Sequence, residues 1–201
     1  MERREILRSV EARARKIMGQ DPAHGWPHIE RVRRLAQMIV WEEELNVDKT
    51  LLELSVLLHD VGRFLPGEGH HAEKSATYAK HYLATLGIPS ETIKRVVHAI
   101  LAHSYSLGVK AETPEAMVLS DADKLDALGA IGIARAIHHG CQQNRDFEYS
   151  IGHMKEKLLK LPSLMYLESA RRLANERVQI VKLYINQFEI EREFTGGLPL
   201  S

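Results

Sequence analysis

The 201 residues are enough to bury a substantial core, and 27 basic side chains balance 27 acidic ones, so no global positive field exists to recruit nucleic acid. A single cysteine, Cys141, excludes an internal disulfide and a cysteine-built zinc site, and no apolar run approaches the roughly 18 residues of a membrane span. Histidine is over-represented at 11, and the N-terminal MERREILRSVEARARK is charged and amphipathic rather than an apolar leader, so the cytoplasm is the expected compartment.

Residues 2–19 place Ile6, Val10, Ala14 and Ile17 on one helical stripe that Gly19 ends. After QDPAHGW, Pro27 sits where a first-turn proline is tolerated, and a helix over 27–45 turns Val32, Leu35, Ala36, Ile39 and Val40 inward. His28 shares that face from the first turn. Asp48 reads as the N-cap of the next helix, Leu51 to Gly62, which is apolar nearly all round and so belongs in the middle of a bundle. Its last turn carries His59 and Asp60 before Gly62, the expected terminating glycine. Burying both polar groups without partners is costly. A hydrogen bond between them at a helix end is one remedy, and a divalent metal that takes imidazole and carboxylate together is the other.

The glycine-rich RFLPGEGHH reads as a loop, and His71 opens a helix through Ala72, Ser75, Ala76, Ala79, Tyr82 and Leu83 to Gly87. Pro89 and Ser90 start another, with Ile93, Val96, Val97 and Ile100 inward. His103 lies at the edge of that stripe and is expected to face a site, whereas His98 points away from it. SYSLGVKAET is a loop. From Pro114 a helix is expected to run uninterrupted to Gly140 with two buried faces, one holding Met117, Val118, Ala122, Leu125 and Gly129, the other Leu119, Asp123, Asp126 and Ala130. Ile151–Leu161 reads as a short helix. Pro162 is expected to open a long helix to about 192, packing across the bundle or pairing with a second subunit as a homodimer, with a loose tail TGGLPLS. No strand-like alternation occurs. The expected fold is all-α, one helical-bundle domain over 1–201, with helices at 150–192 packing on a core at about 20–135.

Four inward polar residues from three helices share a metal-ligand character: His28, His59, Asp60 and Asp123. Such a set suits Mn²⁺, Fe²⁺, Co²⁺, Ni²⁺ or Zn²⁺ better than Mg²⁺, which prefers more oxygens. The order His … His-Asp … Asp, in HGWPHIERV, LLHDVGR and SDADKLDALGAIG, resembles the HD-domain metal-dependent phosphohydrolases, and DADKLDALGAIGIAR is similar to the small stand-alone members. The resemblance implies an HD-type fold and a divalent metal on His28, His59, Asp60 and Asp123, the last being the acid that precedes a basic residue, with Asp121 and Asp126 supporting or capping. His71 in HAEKSA and His103 in AILAHS match two further histidines that hold a second metal or the substrate phosphate. The implied reaction is hydrolysis of a small phosphorylated molecule, a nucleotide first, with Asp60 orienting the attacking water and the metal polarising the phosphoryl oxygen. Arg63 and Lys124, next to the ligands in sequence, are expected to neutralise phosphate, and His24, one turn before His28, to reach substrate. His138, His139 and Cys141 are given no site role. Arg63, Lys74 and Lys124 are too few cations to track a polynucleotide, so no nucleic acid strand is expected as partner. The alternatives are a di-iron HD-type oxygenase and a non-catalytic nucleotide-sensing module.

Overall fold

A computed structural model describes residues 2–196. The described chain is all-α: α1 (Arg3–Met18), α2 (Trp26–Glu42), α3 (Lys49–Leu58), α4 (His71–Thr85), α5 (Ser90–His103), α6 (Pro114–Asp126), α7 (Gly129–Gln142), α8 (Phe147–Glu156) and α9 (Glu168–Gly196), with 3₁₀ turns at Val61–Phe64, Tyr105–Leu107 and Leu158–Leu164. None of the described helices is long and apolar enough to cross a membrane.

α3 is the axis. Asp48 caps it by accepting from the Thr50 and Leu51 amides at 2.9 and 3.1 Å, as its position predicts. Leu51, Leu54, Leu57 and Leu58 are wholly buried, because α1, α2, α5 and α6 pack around the helix on different sides. The buried apolar core is continuous from Val10 in α1 to Ile185 in α9. Pro27 occupies the first turn of α2 and Pro114 that of α6, where Thr113 accepts from the Ala116 amide.

Four boundaries differ from the sequence expectation. The α3 helix stops at Leu58 rather than Gly62, and His59 and Asp60 form the turn between it and the 3₁₀ segment. Gly62 is no helix stop. It is buried, and a Cβ there would overlap the His71 carbonyl and Ser75, so glycine lets α4 press against the turn. The segment expected to be one helix from Pro114 to Gly140 breaks into α6 and α7. Leu128 is extended and Gly129 takes φ +72°, a left-handed conformation that glycine adopts without strain. Helical phase alone makes Gly129 look like a stripe residue. The short helix expected at Ile151–Leu161 begins at Phe147, behind the N-cap Asp146, and ends at Glu156. Pro162 lies inside the 3₁₀ turn instead of opening the last helix, and the Asp121 carboxylate receives the Tyr166 and Leu167 amides just before α9 starts at Glu168. α9 continues to Gly196, and positions 197–201 of the tail lie outside the described residues.

Candidate metal centre

Helix ends converge on one point: the first turn of α2 brings His28, the turn after α3 brings His59 and Asp60, the first residue of α4 brings His71, the last of α5 brings His103, and the last turns of α6 bring Asp123. His28, His59, Asp60 and His103 are at most 2 % exposed, while Asp123 and His71 open toward solvent.

Each buried histidine has its inner ring nitrogen claimed by an acceptor. His28 Nδ1–H donates to Asp126 Oδ2 at 2.7 Å, His59 Nδ1–H to the Val56 carbonyl at 2.8 Å, and His103 Nδ1–H to the Ile100 carbonyl. These acceptors assign the tautomer, leaving an Nε2 lone pair on every ring pointed at the same space. His28 Nε2 and His59 Nε2 stand 3.2 Å apart with no proton to share. Asp123 Oδ1 lies 3.3 Å from His28 Nε2 and 3.9 Å from His59 Nε2, and Asp60 Oδ2 lies 3.8 Å from His28 Nε2. On the other side, Asp60 Oδ1 is 3.4 Å from His71 Nε2 and 3.6 Å from His103 Nε2.

The donor set fits a cation. Asp60 Oδ1 is buried without a hydrogen-bond partner, although an unpaired buried carboxylate oxygen is expensive. Facing lone pairs roughly 3 Å apart are the spacing of two imidazoles on one ion with metal–nitrogen bonds of about 2.1 Å. The ligand atoms of His28, His59 and Asp60, and those of Asp60, His71 and His103, lie within 4.8 Å of one another, so two groups share the Asp60 carboxylate.

Electrostatics prepares these groups as ligands. Burial pulls the His59 imidazole down to about 4 and His71 to about 3, against the pull of Asp60, so both are neutral at pH 7. Burial works against the charge of Asp60, but the Arg63 guanidinium beside it holds the carboxyl well below its usual range. Behind His28, Asp126 receives Arg31 Nε at 2.6 Å and an Arg135 guanidinium N–H at 2.7 Å in addition to the imidazole.

The remaining candidates divide. Arg63 lies in the site: its Nε donates to Asp60 Oδ2 at 2.6 Å and its second guanidinium nitrogen to His71 Nε2 at 3.1 Å. His24 sits edge-on to His28 with centroids 6.4 Å apart. Lys124 does not face the site. Its ammonium is buried, donating to Ser120, 3.9 Å from Asp121 and 5.3 Å from the Tyr166 ring centroid, because its α6 position faces the packed side rather than the cleft. His98, expected to point away, accepts the Glu112 amide at the surface. His139, given no role from sequence, packs 4.9 Å from His24 on the wall of a cavity of about 490 Å³ that opens beside Arg63 and His71. No periodicity could place it, since the break at Gly129 sets the direction of α7.

An all-α fold with helix-end histidines and carboxylates gathered in this order defines a class, and residues 25–128, half of the chain, match the HD domain: the chain belongs to that family. It is 32% identical over 183 residues to the YpgQ protein of Bacillus subtilis, covering 86% of each. Among solved structures, one from Lactobacillus plantarum superposes with a TM-score of 0.80 at 28% identity, covering 96% of this chain and 99% of that one. YpgQ in complex with ADP gives 0.74 at 30% identity, covering 95% and 97%. An HD-superfamily hydrolase from Bacillus thuringiensis gives 0.70 at 30%, covering 96% and 99%.

Proposed function

We propose that this chain is a metal-dependent phosphohydrolase acting on a small phosphorylated molecule, a nucleotide first. The observation that carries the reading is the set of unprotonated Nε2 atoms gathered around the orphaned Asp60 Oδ1. The likeness to YpgQ, whose structure holds ADP, supports a nucleotide as ligand.

In this reading His28, His59, Asp60 and Asp123 hold one divalent ion, and His71 and His103, with Asp60 shared, hold a second or grip the phosphate. When bound, such an ion supplies Lewis acidity to a phosphoryl oxygen and lowers the pKa of water. The chain's own groups do the rest. Asp60, kept ionised, offers an oxygen to each half of the site and orients the attacking water. Arg63 fixes the rotation of Asp60 through its Nε–H and presents its remaining N–H groups to phosphoryl oxygens. The Asp126–His28 bond keeps the His28 lone pair turned inward.

The same six ligands would also suit a di-iron oxygenase, and one experiment separates the two. Protein loaded with Mn²⁺ is incubated with ribo- and deoxynucleotides and with single-stranded oligonucleotides, and the products are resolved. Release of phosphate or pyrophosphate from nucleotides, abolished in His59→Ala and Asp60→Ala, is expected. Rapid oligonucleotide cleavage with inert nucleotides overturns the substrate class. Tightly bound iron with oxygen consumption and no hydrolysis overturns the reaction.

A further inference from the structure

A site for an anionic substrate needs positive charge that its own carboxylates have not already claimed. Around this centre nearly every cation is spent. Arg31 and Arg135 both pair with Asp126, Arg63 pairs with Asp60 and keeps only its other N–H groups for phosphate, Lys124 is turned onto Ser120 and Asp121, and Lys74 donates to the Leu65 and Gly67 carbonyls. Lys157 differs. It sits in the connection between α8 and the 3₁₀ turn that precedes α9, half-buried, and among the described residues no carboxylate lies within ion-pair distance of its ammonium.

The position of that ammonium ties it to the site. It lies 5.9 Å from the centroid of the Tyr105 ring, and Tyr105 follows His103 by two residues, in the 3₁₀ turn just after α5. Burial lowers its pKa, and the charges it feels are those of the centre: Asp123 and Asp60 draw it toward the charged form, Arg63 and Arg135 push against it. A half-buried ammonium without a counter-ion is a cost that a bound anion removes.

We propose that Lys157 binds phosphoryl oxygens of the substrate other than those of the group under attack. The residue is a specificity determinant lying beyond the family-matched segment 25–128, and the inference rests on the phosphohydrolase reading. A substrate with two or more phosphates fills both the metal centre and the Lys157 position, while a monophosphate leaves Lys157 empty-handed.

The test measures equilibrium binding to Mn²⁺-loaded wild type, Lys157→Gln and Lys157→Arg, using AMP, the non-hydrolysable methylene analogue of ADP, orthophosphate and inorganic triphosphate. Wild type is expected to prefer the ADP analogue to AMP and triphosphate to orthophosphate. Lys157→Gln should weaken the ADP analogue and triphosphate roughly tenfold and AMP under about twofold, the loss of one charge-assisted hydrogen bond, with metal content and melting temperature unchanged. Lys157→Arg should restore most of the preference. Equal weakening of AMP and the ADP analogue, no weakening of either, or no binding of any probe by wild type overturns the proposal. Lys157-dependent triphosphate binding in a protein inert toward nucleotides upholds the Lys157 site and refutes the nucleotide reading. Nucleotide hydrolysis indifferent to Lys157 does the reverse.

Discussion

Three acids within six positions of α6 have three different jobs. Asp121 is fully buried and receives the Tyr166 and Leu167 amides, Asp123 faces His28 and His59, and Asp126 orients His28 from behind. Substitution should separate them. Asp126→Asn keeps the shape but weakens the acceptor for His28 Nδ1–H, and metal affinity is expected to fall roughly 10–100-fold, the usual cost of losing such an orienting partner, read by titration with Mn²⁺. Asp121→Asn should leave that affinity alone and lower unfolding free energy by about 1–3 kcal/mol in urea, since it removes acceptor capacity for buried amides. If Asp121→Asn weakens the metal as much as Asp126→Asn, the division of labour along α6 is wrong.

At the scale of elements, turns decide where the site's parts meet. Gly62 sits where α4 touches the turn after His59, and Gly62→Ala forces a backbone clash with His71 and Ser75. The expected loss is about 3 kcal/mol, at the upper end for overpacking, and His71 should be displaced from Asp60 with it. Gly129→Ala meets only the Arg177 side chain at 3.4 Å, so its cost is that of the positive φ, about 1–2 kcal/mol. A thermal melt in which Gly129→Ala is the worse of the two would contradict this ranking. The loop before α2 is pinned to α7 by Asp21, which accepts from the His24 amide at 2.7 Å, Gln142 at 2.7 Å and His138 at 3.1 Å. Burial opposes the charge of Asp21, but those bonds outweigh it and set its pKa at about 2 against an ordinary 3.8. A depressed folded pKa means the clip stabilises fully above the ordinary value and loses its contribution as pH falls from 3.8 through about 2. Asp21→Asn should therefore flatten the acid limb of the melting-temperature profile in that window and leave its shape unchanged near pH 7.

For the whole molecule, the helix ends that carry the candidate ligands come from α2, α3, α4, α5 and α6, so an ion bound there would tie five helices together. Binding to the folded state alone stabilises by linkage, about 2.7 kcal/mol at a hundredfold excess over Kd. For a chain of this length that corresponds to a rise of roughly 5–10 °C in Tm, reversed by chelator. His59→Ala should abolish the rise. Elemental analysis of wild type and His103→Ala counts the ions: a fall from two per chain to one places the second ion on the His71–His103 half, and an unchanged single ion leaves those histidines to the phosphate.

The sequence by itself determined the helical class and the order of the candidate ligands. Both are local properties: the 3.6-residue apolar period marks α3 as central, and His28, His59 and Asp60 reveal themselves as polar groups on apolar faces near helix ends. Distances across the chain were decided elsewhere. His28 meets Asp126 across 98 positions, Asp60 Oδ1 meets His71 and His103 only because α4 begins and α5 ends where they do, and Lys124 turns inward while Lys157 reaches the Tyr105 ring because of how α6 and α8 pack. A helical stripe tells which side of a helix is dry, but the neighbour it meets depends on the rotation and crossing of whole helices. Here that arrangement passes through the one-residue reversal at Gly129 that swings α7, with Arg135 and His139, back onto the site.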